Sequence, residues 1–121
     1  MRYVFLIYLE EAKFAVMEAA EREAFEPAML AYDEDLRGSG NYVTSSALMA
    51  PSEAVTVRTW DGRLAATDGP FAETKEHLSG FIVVEARDLN DAIQLAARMP
   101  LARAGSVEVR PMRKLAGEAE D

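Results

Sequence analysis

Thr67-Asp-Gly-Pro-Phe-Ala-Glu-Thr-Lys-Glu-His-Leu-Ser-Gly80 lies between two strand-like runs and decides how the rest of the chain is read. Asp68 is suited to an Asx-type turn and Gly69 to a backbone conformation that other residues avoid. Pro70 fixes φ, and Phe71 is expected to plug into the core and hold the loop down. The same loop groups Glu73, Lys75, Glu76 and His77. The segment is thus either architecture or one wall of a pocket.

Working outward, Tyr3 to Leu9 is an unbroken apolar run rich in aromatic and branched residues and reads as a first strand. It is too short to span a bilayer, and no small-residue cleavage site follows it. Ala12 to Arg37 is helix-like, with Phe25, Met29, Tyr32 and Leu36 on one stripe. Pro27 should bend that helix or split it in two, and Gly38-Ser-Gly40 ends it.

Tyr42 to Leu48 reads as a second strand and 47–53 as a loop. Val55 to Trp60 and Arg63 to Thr67 form a hairpin through Asp61-Gly62, with Val55, Val57 and Thr59 alternating against Thr56, Arg58 and Trp60. Gly80 to Glu85 is a buried strand. Asp88 caps a helix whose inner stripe is read as Leu89, Ile93 and Ala96 and which Pro100 closes; Ser106 to Met112 is the last strand.

The order β-α-β-(β-hairpin)-β-α-β gives an α+β, ferredoxin-like sandwich with an added β-hairpin. Tyr3–Leu9 and Phe81–Val84 are apolar at odd and even positions alike, so both faces of those strands call for burial. Two helices cover one face of the sheet only. A second copy of the chain is the simplest cover for the other, which predicts a homodimer.

Composition narrows the function classes. A chain of 121 residues fits one domain, read as 1–114 with an acidic, flexible tail at 115–121. Without cysteine there is no disulfide or thiolate metal site, which suits a cytoplasmic protein. One histidine and no cysteine argue against ordinary zinc geometry, and no metal or other cofactor is expected. Net charge of −8 opposes direct nucleic-acid binding, and no membrane association is expected. Acidic residues crowd the helix-like region (Glu10, Glu11, Glu18, Glu21, Glu23, Glu26, Asp33, Glu34, Asp35), either as a solvated face or as a docking surface.

No phosphate loop is present, since Gly38-Ser-Gly40 follows a helix instead of opening one, and Ser45, Ser46, Ser79 and Ser106 lack a nucleophile-elbow context. Asp68 and His77 remain the candidate proton carriers, because an unperturbed histidine titrates near neutrality. Tyr8, Met29, Arg58, Phe71, Glu73 and Lys75 are the candidate pocket-lining or binding residues. Met17, Met29, Met49 and Met99 are read as core filler or pocket lining.

Residues 67–80 resemble the Asp-Gly-Pro-Phe segment of bacterial YCII-related proteins, the DGPF-domain family. The likeness extends through Tyr3–Tyr8, Tyr32–Gly40, Thr56–Gly62, Phe81–Arg98 and Gly105–Pro111. It implies pairing as a dimeric α+β barrel, with no established molecular activity. It also implies an association with extracytoplasmic-function sigma factors. The wider YCII relatives are similar to small isomerase-like barrels with a His–Asp acid–base pair, but Met29 stands where they have histidine. The leading expectation is therefore a non-catalytic dimer, regulatory or binding a small molecule. The alternative is a cofactor-free acid–base enzyme of isomerase or lyase type.

Overall fold

Side-chain alternation along β1 (Arg2–Leu9) places Tyr3, Phe5 and Ile7 on one face, all buried, with Phe5 completely so. The structure is a computed structural model that describes residues 1–118. The part of the expected flexible tail at 119–121 lies outside the described residues. β1 is central in an antiparallel four-stranded sheet of order β2-β5-β1-β6, formed with β2 (Tyr42–Ala47), β5 (His77–Glu85) and β6 (Gly105–Pro111). This is the ferredoxin-like arrangement that the element order predicts. β3 (Val55–Trp60) and β4 (Arg63–Asp68) form a separate two-stranded hairpin. Its turn uses positive φ at Asp61 (53°) and Gly62 (73°), as a two-residue hairpin loop requires.

The helix expected over 12–37 is three helices: α1 (Glu11–Ala15), α2 (Ala19–Glu23) and α3 (Phe25–Gly38). Pro27 is not the breaker. It sits in the first turn of α3, where a missing N–H costs nothing. The break falls upstream, where Glu18 is extended and the Arg22 guanidinium donates to the carbonyls of Phe14 (2.9 Å) and Met17 (3.4 Å). The Phe14 carbonyl also accepts from the Met17 N–H at 3.2 Å, so Arg22 adds a second bond to the turn that closes α1. Phe14 packs on Phe25 with ring centroids 5.5 Å apart, holding α1 against α3.

The inner sheet face (Tyr3, Phe5, Ile7, Ile82, Val84) packs on Tyr32 and Leu36 of α3 and on Ala92, Leu95 and Ala96 of α4 (Leu89–Ala97), with Met99 just beyond. The stripe expected on α4 is thus rotated. Ala96 is on it, whereas Leu89 and Ile93 are 49% and 45% exposed. Alanines at 92 and 96 let the helix approach the sheet where larger side chains would hold it off. Asp88 caps α4 as expected, accepting from the Asp91 N–H at 2.8 Å. Met99 is core filler, Met17 and Met29 are half-buried, and Met49 is 76% exposed on the loop after β2.

Tyr32 donates its hydroxyl to the Leu95 carbonyl at 2.7 Å, tying α3 to α4. Burial pushes its pKa up to about 12, against the opposing pull of Arg98. Next to it, Asp33 has a buried Oδ1 without a hydrogen-bond partner. Burial raises its pKa above the ordinary carboxylate value, and Arg37 offsets part of this. A carboxyl raised in the folded state holds its proton better there than in the unfolded chain, so stability falls as pH rises through that window. Asp33→Asn is therefore expected to raise Tm by about 1–2 °C at neutral pH. The gain should vanish in acid, where both states are protonated, as thermal melts across the pH range would record.

Among the described residues no helix or second sheet covers the outer sheet face, although Val83 on it is buried. In register it runs Val4–Val83–Thr44–Arg110, then Leu6–Phe81–Ser46–Glu108, then Tyr8–Leu78–Ser106. Val4, Leu6, Tyr8 and Phe81 are only half-buried.

Candidate functional site

Three strand ends meet where β1 runs out and β5 and β6 begin, and the loop over 69–76 joins them there. The β1–β5 register shifts between Ile7 and Tyr8, a bulge that re-aims Tyr8 on the outer face. Ser79 Oγ donates to the Ile7 carbonyl at 3.1 Å and stabilises the irregularity. Gly105 is needed on the other side, because a Cβ there would lie 2.0 Å from the Tyr8 carbonyl oxygen.

Directly after β1, Glu10 is the one charged residue in the buried class among the described residues. Its carboxylate faces two ammonium groups. Lys75 Nζ lies 3.5 Å from Oε1, and Lys13 Nζ lies 3.7 Å from Oε2. The side chain of Glu10 is 11% exposed, whereas that of Lys75 is 81% exposed. A carboxylate so withdrawn from water depends on its cations, and Lys75 ties the 69–76 loop to the end of β1. Glu76, next in that loop, accepts from Ser106 Oγ at 3.2 Å, and Thr74 donates its hydroxyl to the Glu76 carbonyl. The loop is thereby fixed to both β1 and β6.

Of the residues singled out from sequence, Tyr8, Lys75 and His77 are gathered at this sheet end. His77 opens β5 opposite Leu9 and is half-buried. Glu73 and Phe71 lie in the loop, exposed. Phe71 does not plug into the core: it is 80% exposed. Gly69, at φ 100°, and Pro70 lead into this loop, and among the described residues the ring is not packed in the core. Asp68 ends β4, and no hydrogen bond or ion pair joins it to His77 among the described residues. Arg58 lies on β3 with its guanidinium 5.0 Å from the Trp60 ring centre, the same-face contact that strand alternation predicts. Met29 is on α3, packed against the core from the helix side, with the sheet between it and the outer-face position of Tyr8.

In the sequence Glu10 is one of many acidic residues. The signal was its position, the first charge after an unbroken apolar strand. Among the described residues no cluster of three His, Asp or Glu side chains converges on a metal position, and no helix is long and apolar enough to cross a membrane. A cavity of about 390 Å³ lies elsewhere, on the helix side, between Met17, Glu21, Ala24, Phe25, Ala28 and Arg103.

A family model described as YCII-related domain matches residues 1–116. An uncharacterized protein of Rhizobium meliloti (strain 1021) is 32% identical over 114 residues, covering 93% of this chain and 92% of its own length. Among solved structures, 5-chloro-2-hydroxyhydroquinone dehydrochlorinase from Burkholderia phenoliruptrix AC1100, in complex with 2,5-dihydroxybenzoquinone, aligns with a TM-score of 0.56. Its sequence identity is 15%, and the alignment covers 93% of this chain and 94% of that one. At that identity the likeness is one of fold.

Proposed function

This chain belongs to the YCII-related family, and from that premise we propose that it works as a homodimeric, non-catalytic small-molecule-binding module. The ligand site is the sheet end around Glu10, Lys75, His77 and Tyr8. One observation carries this reading: a nearly buried carboxylate, held by two lysines, at the mouth of an apolar sheet face that its own chain leaves uncovered. A second copy laid on that face would turn the open surface into a walled pocket, apolar inside and charged at its end. The ligand class that fits is a small ring or short chain bearing oxygen groups. Lys75 would take an anionic oxygen and Glu10 a hydroxyl.

The dehydrochlorinase of similar fold was solved with 2,5-dihydroxybenzoquinone, which makes that compound a reasonable probe. Isothermal titration calorimetry is expected to show binding, and Lys75→Ala is expected to weaken it about tenfold through loss of a charge-assisted hydrogen bond. Native mass spectrometry of freshly purified protein should show a retained small molecule at the same site. Absence of both binding and a retained molecule would contradict the proposal, and a co-purified sigma factor in their place would favour regulation through a protein partner.

An acid–base enzyme is the second reading, favoured by the half-buried His77 beside this cluster. On that reading Asp68 or His77 carries the proton. Asp68→Ala and His77→Ala that leave a bound metabolite chemically unchanged, as wild type does, would remove it.

A further inference from the structure

The hairpin β3–β4 pairs with no strand of the main sheet and stands out as an arm. Its register sorts the side chains onto two faces. Thr56, Arg58, Trp60, Arg63, Ala65 and Thr67 share one, and Val55, Val57, Thr59, Leu64, Ala66 and Asp68 the other. On the first face Thr56 and Arg58 are half-buried and Thr56 Oγ1 donates to the Gly69 carbonyl at 2.8 Å, while Trp60 is 69% exposed. The second face is bare. Val55, Val57 and Leu64 are 58%, 61% and 72% exposed. A two-stranded hairpin is marginal in water, and one that exposes its apolar face is more so.

We propose that this bare face is a clasp that docks on a second copy of the chain, and that its docking holds the 69–76 loop, with Lys75, over the ligand site. The inference rests on the dimer reading above and adds to it. Charge restricts how a second copy can be seated. Two copies of net charge −8 repel, so they can meet only where charge is absent or paired. The outer sheet face meets that condition, its Glu108 being paired with Arg110 at 3.3 Å, and so does the arm face beyond its base, where Asp68 is its one charge. Area points the same way. A stable dimer buries about 800 Å² on each partner, and the sheet-face residues are already half-shaded within their own chain. The arm offers the additional apolar surface. Because β4 runs straight into the loop that carries Lys75, anchoring the arm also orders the site.

Absence of cysteine makes thiol labelling a clean test. Val57→Cys reports on the bare face, and Ala65→Cys, on the opposite face, is the control. Maleimide labelling would be followed from nanomolar to tens of micromolar protein, with sedimentation velocity on the same samples. The expected result is that Val57→Cys reacts about tenfold more slowly where the protein is dimeric, while Ala65→Cys does not. Equal rates in a protein that sediments as a dimer would overturn the clasp and leave the dimer standing. Protection independent of concentration would overturn it too, by showing that the arm folds back on its own sheet. A wild-type protein that stays monomeric would remove the dimer reading itself.

Discussion

Leu6→Asp is expected to raise the dissociation constant of the dimer about a thousandfold, equivalent to about 4 kcal/mol. Leu6 sits mid-strand on the uncovered face, between Phe81 of β5 and Glu108 of β6. If a second sheet packs there, the new carboxylate is buried without a cation, next to an existing acid and against its own symmetry-related copy. In the free chain the same position is only half-buried, so the monomer should keep its fold. Sedimentation velocity separates the two effects, with far-UV circular dichroism as the check on folding. The conservative Leu6→Val should leave association within about tenfold of wild type, because it removes one methylene and no more. An aspartate variant that dimerises like the wild type would mean that the outer face is not the interface.

Gly105→Ala is expected to cost about 2–4 kcal/mol of folding stability, a large effect for a single methyl group. The reason is backbone against backbone. The added Cβ would meet the Tyr8 carbonyl oxygen at 2.0 Å and the Tyr8 carbonyl carbon at 3.1 Å, and neither can rotate aside. β6 must then withdraw from β1 where Tyr8 and Ser106 contribute to the site, so ligand binding should fall with stability. Gly38→Ala is the control: nothing lies within 4 Å of its Cβ position, at the end of α3. There alanine is expected to be neutral or stabilising by up to about 1 kcal/mol. Chemical denaturation of the two variants would give the comparison directly.

Strand order and the uncovered face were legible because they rest on strong local signals. The Tyr3–Leu9 run, the Asp61-Gly62 turn and the Asp88 cap each have one dominant physical cause, and each is present in the fold. Where the reading failed, two causes competed. Pro27 looks like a helix breaker, but its effect depends on its place in the turn, and Arg22 and Glu18 had already set the break upstream. Leu89 and Ile93 look like core residues by size, yet the sheet selects the small Ala92 and Ala96. Phe71 looks like an anchor, but an aromatic ring needs a surface to enter, and among the described residues its ring is not packed in the core. The candidate site was half legible. Lys75 and His77 stand out by their grouping, whereas Glu10 matters because of its burial and of a cation, Lys75, far from it in sequence, which no local pattern encodes.

Sedimentation velocity of the wild-type chain at micromolar concentration tests the central claim most directly. A single species at twice the 13.3-kDa chain mass is predicted, as two half-covered sheets closing on each other require. A stable monomer at that concentration would contradict it, leaving the outer face of Leu6 and Phe81 exposed to water and the pocket beside Glu10 without its second wall.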